Sequence, residues 1–143
     1  MTALAADTIR IFEGNIPDKC AHFQVLTATT IYEGSAVCAE SAVGYARPVA
    51  ASLTSPEFYG FAEESVVNSG ASGAKKVKVR REGVIVLTAI TGMTGITNIG
   101  DSVYMSDDGT GFTSTSTNNV LIGKVGNYVD SKFLVDFQAI SLR

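Results

Sequence analysis

Residues 76–87 read KVKVRREGVIVL, and their pattern is the most informative one for the fold class. In its first half, valines alternate with the cations Lys76, Lys78 and Arg80, so the cations share one face of an extended chain. Alternation with a period of two is typical of a half-buried strand with one wet face. The second half, residues 84–87, is apolar on both faces. It predicts a strand that is either central in a sheet or covered by another subunit.

The dipeptide Glu82-Gly83 lies between these two runs and is a candidate for a tight turn. We therefore expect residues 76–80 and 84–90 to pair as an antiparallel hairpin. Further strand-like runs occupy residues 23–30, 35–39, 58–63, 103–106, 120–125 and 132–138. Short strands at close spacing, divided by glycine turns and without a convincing helix pattern, predict an all-β fold that is a small β-barrel or β-sandwich.

Composition and length set the boundaries of this prediction. A chain of 143 residues is one domain's worth and is long enough to bury a core. Its 45% hydrophobic and 17% charged residues exclude intrinsic disorder. The net charge of −3 gives no overall positive field to attract nucleic acid.

The front of the chain predicts an extended N-terminal arm. Residues 8–12 could form a short strand, and Gly14-Asn15 and Pro17-Asp18 then interrupt it. We expect residues 1–29 to hold the arm and the first strand or strands, and residues 30–143 to form the β body of what is a single domain overall.

No targeting or membrane segment is evident. The first ten residues lack the basic start and apolar centre of a signal peptide. The longest uncharged stretch, residues 83–100, is rich in glycine and threonine, so we expect a strand and a loop rather than a membrane span. A protein made and used without secretion is expected.

Two cysteines and one histidine are the first candidates for chemistry. Cys20 and His22 would share a face of a strand, so a nucleophile pair is conceivable. A third group that orients the histidine would still be needed, and the spacing of Cys20 and Cys38 matches no zinc pattern. We expect two buried thiols and a structural histidine.

Three carboxylates form the second candidate set. Asp101, Asp107 and Asp108 crowd one predicted hairpin, whose turn signal is Asp108-Gly109. A calcium loop would need a closing glutamate, which is absent, so a solvated turn is expected. The sequence thus predicts no catalytic residue, no metal site and no cofactor, and the protein is expected not to be an enzyme.

The basic run is the strong charge feature of the sequence. Five of the eleven basic residues fall in seven positions, namely Lys75, Lys76, Lys78, Arg80 and Arg81. The run is either a solvated strand face, which discourages edge-to-edge aggregation, or a docking patch for an acidic protein surface. Nucleic acid is disfavoured because no aromatic residues interleave with the cations.

A series of short motifs follows in a characteristic order. They are YEGSAV (32–37), GFAEES (60–65), a Gly-Ala loop, VKV (77–79), EGVIVL (82–87), GDSVY (100–104), DG (108–109), IGKV (122–125) and LVDF (134–137). The series resembles the small capsid cement, or head decoration, proteins of tailed bacteriophages and prophages, over roughly residues 30–138.

The resemblance implies a small β body on the outer face of the phage head. Such proteins commonly form trimers where capsomers meet and clamp the shell after it expands. It implies a structural virion protein that stabilises the capsid, made in the host cytoplasm, with the major capsid protein as partner and a homotrimer as its form. It implies no contact with nucleic acid or membrane, and it offers no catalytic residues to carry over.

Two sets of residues follow as candidates. The arm, residues 2–15, would reach onto the capsid or a neighbouring subunit, and the basic strand would face acidic capsid loops. The capsid-contact candidates are therefore Thr8, Arg10, Phe12, Lys76, Lys78 and Arg80. The subunit-interface candidates are Val84, Ile85, Val86 and Leu87.

Three other interpretations stay open. One is a carbohydrate- or cell-surface-binding β module, although tryptophan is absent and the tyrosines are scattered. Another is a different structural virion component of the tail or neck. The third is a small β-barrel enzyme with a site between subunits, for which Cys20, His22 and the three aspartates are the only candidates.

Overall fold

A computed structural model describes residues 3–13 and 19–139, and in these ranges the chain is almost entirely β. The strands are β1 (Phe12–Glu13), β2 (Cys20–Gln24), β3 (Thr29–Ile31), β4 (Ala36–Glu40), β5 (Arg47–Pro48), β6 (Pro56–Ala62), β7 (Val66–Asn68), β8 (Lys76–Arg80), β9 (Glu82–Leu87), β10 (Ser102–Met105), β11 (Phe112–Thr113), β12 (Val120–Val129) and β13 (Lys132–Gln138). A single turn of 3-10 helix, Ile96–Asn98, precedes β10. Within the described ranges, no helix has the length and apolar character that crossing a bilayer requires.

Three antiparallel sheets pack together as a small β-sandwich, which confirms the expected all-β class. The largest has six strands in the order β1-β9-β13-β12-β10-β11. The second has five, in the order β2-β8-β6-β4-β5, and the third is the pair β3-β7. The hairpin predicted around Asp108-Gly109 is confirmed, because β10 and β11 pair antiparallel across that loop.

Strand β4 of the five-stranded sheet is buried on both of its faces. Ala36 and Cys38 of β4 point into a first core shared with the six-stranded sheet, whereas Val37 points into a second core beneath β3 and β7. The first core is dominated by Phe58, Phe61, Ile85, Met105, Ile122, Phe133, Val135 and Phe137. A four-residue buried run in β4 follows directly from this position between two cores.

The predicted hairpin of residues 76–80 with 84–90 is wrong. β8 pairs with β2 and β6, whereas β9 pairs with β1 and β13, so the chain changes sheets at Arg81. The Arg81 N–H donates to Lys19 O at 2.7 Å, and its carbonyl accepts from Ala139 N at 2.7 Å. One residue thus extends the ladders of two sheets, and Glu82-Gly83 begins a strand instead of forming a turn.

The described N-terminal residues are not an extended arm. Residues 3–13 lie along the body, and Phe12 enters the first core, where its ring centroid is 6.1 Å from that of Phe61 and 5.6 Å from that of Phe137. The physical reason is that Phe12 has an apolar pocket within reach on its own chain. The predicted breaks at Gly14-Asn15 and Pro17-Asp18 lie outside the described residues, as do residues 1 and 2 of the proposed arm.

Candidate functional site

The sequence-predicted residues lie in three places on the sandwich. The first is an internal contact between the N-terminal segment, residues 3–13, and the body. The second is the basic strand β8 beside the edge strand β2. The third is the outward face of the six-stranded sheet.

Arg10 holds the N-terminal segment on the body. Its Nε donates to Gly34 O at 2.8 Å, and its Nη2 donates to the carbonyl oxygens of Asp108 and Gly109 at 3.1 and 2.6 Å. Burial lowers the pKa of the Arg10 guanidinium, and the charges of Asp108 and Asp107 oppose that shift. Arg10 was expected to contact the capsid, but its donors already bind carbonyl oxygens of its own chain.

Two aromatic rings complete the surroundings of Arg10. Its guanidinium carbon lies 5.8 Å from the ring centroid of Phe61 and 5.4 Å from that of Phe112, both within cation–π range. Thr8 is also engaged, since its N–H donates to Glu33 O at 2.8 Å. Thr8, Arg10 and Phe12, the three capsid-contact candidates from the N-terminal segment, thus all contact the body of the protein itself.

The aspartates of the β10–β11 loop are buried, so the expected solvated turn is wrong. Asp108 is 3% exposed; its Oδ2 accepts from Ser35 Oγ at 2.7 Å and its Oδ1 from Leu4 N at 3.0 Å. Asp107 Oδ1 accepts from the N–H groups of Gly109 and Gly111 at 2.8 and 3.0 Å. The hydrogen bonds of these two carboxylates hold the main chain of the loop and of the N-terminal segment in place. Asp-rich turns commonly bond to backbone N–H groups, but the sequence carried no signal of their burial.

Gly34 lies where the N-terminal segment passes against the body. Its φ is +85°, and a Cβ at this residue would overlap the carbonyl oxygen of Thr8. The N-terminal segment therefore passes so close to the body that only glycine fits. Asp7, to which the sequence pattern did not point, accepts hydrogen bonds from Glu33 N, at 3.1 Å, and from Ser65 Oγ.

The cations of β8 differ in how they are engaged. Lys76 and Lys78 are exposed, and no described carboxylate forms an ion pair with them or with Lys75. Arg80, in contrast, pairs with Glu63 at 2.5 Å and lies 4.8 Å from the ring centroid of Phe12. The lysines are thus available to a partner, whereas Arg80 serves the fold. We call Lys76 and Lys78 the lysine row.

Across from the lysine row lies β2, which carries the cysteine–histidine pair. His22 pairs with Lys78 and Cys20 with Arg80. Both cysteines are free thiols, but only Cys38 is buried; Cys20 is half-buried and His22 exposed, which corrects the expectation of two buried thiols. Burial raises the pKa of the Cys38 thiol to about 12.

The candidate nucleophile pair and the candidate aspartates lie in different parts of the structure and do not form one site. Cys20 and His22 lie on β2, whereas Asp107 and Asp108 bond to the N-terminal segment and the β10–β11 loop. Asp101 is exposed and accepts a hydrogen bond from Asn98 Nδ2 at 2.8 Å. Within the described part of the chain, no group of three or more potential metal ligands occurs.

The strand proposed as a subunit interface is divided between core and surface. Ile85 and Leu87 are buried in the first core, and β9 is a central strand of its sheet, so these two serve the chain itself. Val84 and Val86 are half-buried and point outward. Leu134 lies directly across from Val86.

Two more apolar residues share this outward face. Ile11 is 62% exposed, and its carbonyl accepts from Val86 N at 2.8 Å. Leu121 of β12 is also exposed on this face. We call Ile11, Val84, Val86 and Leu134 the apolar face. The sequence pattern suggested its two valines but not Ile11 or Leu134, which come from distant parts of the chain.

Comparison of the chain with protein-family models, curated proteins and solved structures finds no match. Function is therefore inferred from the surfaces described above and from the order of the sequence motifs.

Proposed function

We propose that the protein is a capsid decoration protein of a tailed phage or prophage, which binds the outer surface of the head and stabilises the shell. The major capsid protein is its partner, and a homotrimer is its working form. The observation that carries the proposal is that the described residues leave two surfaces of different chemistry uncovered, the apolar face and the lysine row, on a sandwich with two cores. The order of the glycine motifs supports the same function.

The apolar face is suited to contact between subunits. Val84, Val86 and Leu134 of the six-stranded sheet lie together with Ile11, which directly precedes β1, and an apolar patch of this kind at the surface often marks an interaction site. This revises the interface candidates to Val84 and Val86, joined by Ile11 and Leu134. Ile85 and Leu87 support the face from beneath.

The lysine row is suited to contact with the shell. Long-range attraction between a basic strand and acidic loops speeds encounter and fixes orientation, while adding moderate affinity. A trimer that binds the shell through the lysine rows of its three subunits would be held more tightly than a single subunit, because linked binding sites raise the overall affinity. Arg10, Thr8 and Phe12 are removed from the contact set, since they bind the body.

A non-enzymatic role fits the arrangement of the polar groups. The Asp107 and Asp108 carboxylates accept hydrogen bonds from their own chain, and the Cys20–His22 pair has no described carboxylate to orient the imidazole. The described polar groups therefore favour a binding role over a catalytic one.

Binding to shells tests the proposal directly. Purified protein is mixed with expanded empty shells of the phage that encodes it, and shells are sedimented. We expect saturable co-sedimentation and a higher temperature of shell disruption. Absence of binding would overturn the proposal, and binding to a glycan array in its place would favour the carbohydrate-binding alternative.

The oligomer is tested in solution by light scattering. We expect a mass near three times the 15.0 kDa of the chain. Val86→Asp places a charge in the apolar face and should yield monomers. Val67→Asp is the matched control, because Val67 is 63% exposed on the two-stranded sheet, away from that face. If both variants keep the wild-type mass, the apolar face is not the interface.

A further inference from the structure

The edge of β2, next to the lysine row, has main-chain groups that no described residue pairs with. We propose that this edge binds an extended, glutamate-rich segment of the partner, which adds to the five-stranded sheet as a sixth strand. The inference rests on the proposed function and names the kind of capsid segment that the site would take. It combines two observations, an open hydrogen-bonding edge and unpaired lysines beside it.

The hydrogen-bond pattern shows which backbone groups of β2 face outward. Arg81 N donates to Lys19 O at 2.7 Å and Val25 N donates to Lys75 O at 2.9 Å, at the two ends of the β2–β8 ladder. In an antiparallel ladder every second residue bonds to the neighbouring strand. The odd-numbered residues of β2 therefore bond to β8, and the N–H and C=O groups of Cys20 and His22 point away from it.

Only one end of this edge is covered within the described residues. Gln24 O accepts from Ala46 N at 2.8 Å, and Ala46 O accepts from Leu26 N at 3.0 Å. No described residue pairs with the outward main-chain groups of Cys20 and His22, since β2 has β8 as its only strand partner. An exposed strand edge of this kind is a template for an added strand.

The lysine row supplies the charge preference. Lys78 lies across from His22 and Lys76 across from Gln24, so both ammonium groups project from the face beside the open edge. Three other cations are neutralised within the chain, in the pairs Lys19–Glu82, Arg47–Glu40 and Arg80–Glu63. A row of unpaired lysines in a chain of net charge −3 marks where an acidic segment would bind.

The placement of the lysines argues against a purely protective role. Proteins that guard an edge put charged side chains on the edge strand itself. Here the outward side chains of the edge strand are Cys20, His22 and Gln24, and the lysines sit one strand further in. The Glu64 carboxylate accepts from Lys78 N at 2.9 Å on the β6 side of β8, away from the β2 edge.

Distance selects glutamate over aspartate in the added strand. Neighbouring strands lie about 4.8 Å apart, so the new strand would be roughly 10 Å from β8. A lysine reaching across β2 can meet a glutamate on that strand, whereas the shorter aspartate leaves a gap. Main-chain pairing to Cys20 and His22 would set the register, and the carboxylates would then lie beside Lys76 and Lys78.

The charge half of the inference is tested by shell binding of Lys78→Gln against Lys132→Gln. Both residues are exposed lysines without a described ion pair, and each variant removes one charge. We expect Lys78→Gln to weaken binding about two- to fivefold, as one partly exposed ion pair would, and to flatten the dependence on salt. Lys132→Gln should bind as wild type. Equal binding of the two variants would overturn the inference.

The edge half is tested by His22→Pro against His22→Ala. Proline removes an outward N–H that the β2–β8 ladder does not use, so the sheet is preserved, whereas alanine keeps that N–H and removes only the imidazole. We expect His22→Pro to lose about tenfold in shell binding while His22→Ala stays within about twofold, roughly what one lost hydrogen bond gives. If His22→Pro does not fold, the shell binding of Lys78→Gln alone tests whether the segment binds beside β2.

The outcomes separate this inference from the function on which it rests. If the wild-type protein fails to bind shells, both fall. If it binds and every variant binds equally well, the decoration role stands and the β2 edge is not the contact. A labelled DNA duplex is the remaining probe: lysine-dependent binding to it, with shell binding unaffected, would assign the row to nucleic acid and overturn the inference.

Discussion

The guanidinium of Arg10 donates a hydrogen bond of 3.1 Å to the carbonyl oxygen of Asp108, 98 residues later in the chain. The side chain of the same aspartate accepts from Leu4 N, at 3.0 Å. Asp108 thus binds the N-terminal segment at two residues, Arg10 through its carbonyl oxygen and Leu4 through its carboxylate. The front of the chain is therefore part of the sandwich, and we expect its removal to lower the stability of the whole protein.

Loss of the Arg10 side chain should destabilise the fold. Arg10→Ala leaves the carbonyl oxygens of Gly34, Asp108 and Gly109 without their donor, which we expect to cost about 2–4 kcal/mol in the free energy of unfolding. Urea denaturation measures it. Lys132→Ala, at an exposed position, should change stability by less than about 0.5 kcal/mol. A loss at Arg10 no larger than at Lys132 would mean that the contact contributes nothing.

Gly34→Ala should detach the N-terminal segment, because the added methyl group would collide with the Thr8 carbonyl. Gly44→Ala is the matched control: the two φ angles are +85° and +78°, but no atom lies within 4 Å of a Cβ at Gly44. Both variants lose about 1 kcal/mol from the backbone conformation. Only Gly34→Ala should also expose the segment to limited proteolysis. Equal cleavage of the two variants would contradict the close passage.

Phe12→Ala should be costly although Phe12 was expected to contact the capsid. Its ring contacts Phe61 and Phe137 in the first core, and we expect a loss of about 2–4 kcal/mol, below that of a fully buried phenylalanine. Ile9→Ala, at a residue 89% exposed, should stay within about 0.5 kcal/mol. Thermal unfolding compares them. If Phe12→Ala melts like the wild type, the segment does not contribute to the core.

The bounds of a strand could be predicted where apolar and polar residues alternate regularly, because this pattern does not depend on which strand lies beside it. Residues 76–80 and 132–138 were assigned with the observed bounds, because their valines and phenylalanines alternate with polar residues. The three-residue strand β7 was missed, since so short a run carries no periodic signal.

Pairing could not be predicted from the same pattern. Residues 77, 79, 85 and 87 all face a core, yet the first two face the second core and the last two the first core. Hydrophobic periodicity reports that a face is buried, not against which sheet. The change of sheet at Arg81 and the burial of Asp108 both depend on contacts with distant residues, namely Ala139 and Leu4.

The two thiols should react very differently in the folded protein. Cys20 is half-buried on an edge strand, whereas Cys38 is fully buried with a pKa of about 12. Because the thiolate is the reactive form, iodoacetamide at pH 8 should modify Cys20 alone, and both cysteines in urea. Mass spectrometry of tryptic peptides gives the sites. Rapid modification of Cys38 without denaturant would contradict its position in the core.

The raised pKa of Cys38 also predicts how stability depends on pH. Below pH 9, near the ordinary thiol value of 9.0, the thiol is protonated in both folded and unfolded chains and contributes no pH dependence. Between about pH 9 and 12 the unfolded chain loses this proton while the folded chain keeps it, so stability falls as pH rises. From pH 8 to pH 10 this group alone should remove about 1.4 kcal/mol. Urea denaturation at both values should show a smaller decline for Cys38→Ala than for wild type.

Cys20→Ala serves as the control for that comparison, since it retains Cys38 and should keep the part of the decline that Cys38 causes. Lysines and tyrosines that titrate in the same range act on all three proteins alike, so the difference between Cys38→Ala and wild type isolates the buried thiol. Parallel declines in wild type and Cys38→Ala would show that the folded chain releases the Cys38 proton as readily as the unfolded one. β4 would then open to solvent at that pH, and the double burial of this strand between two cores would not hold in alkaline solution.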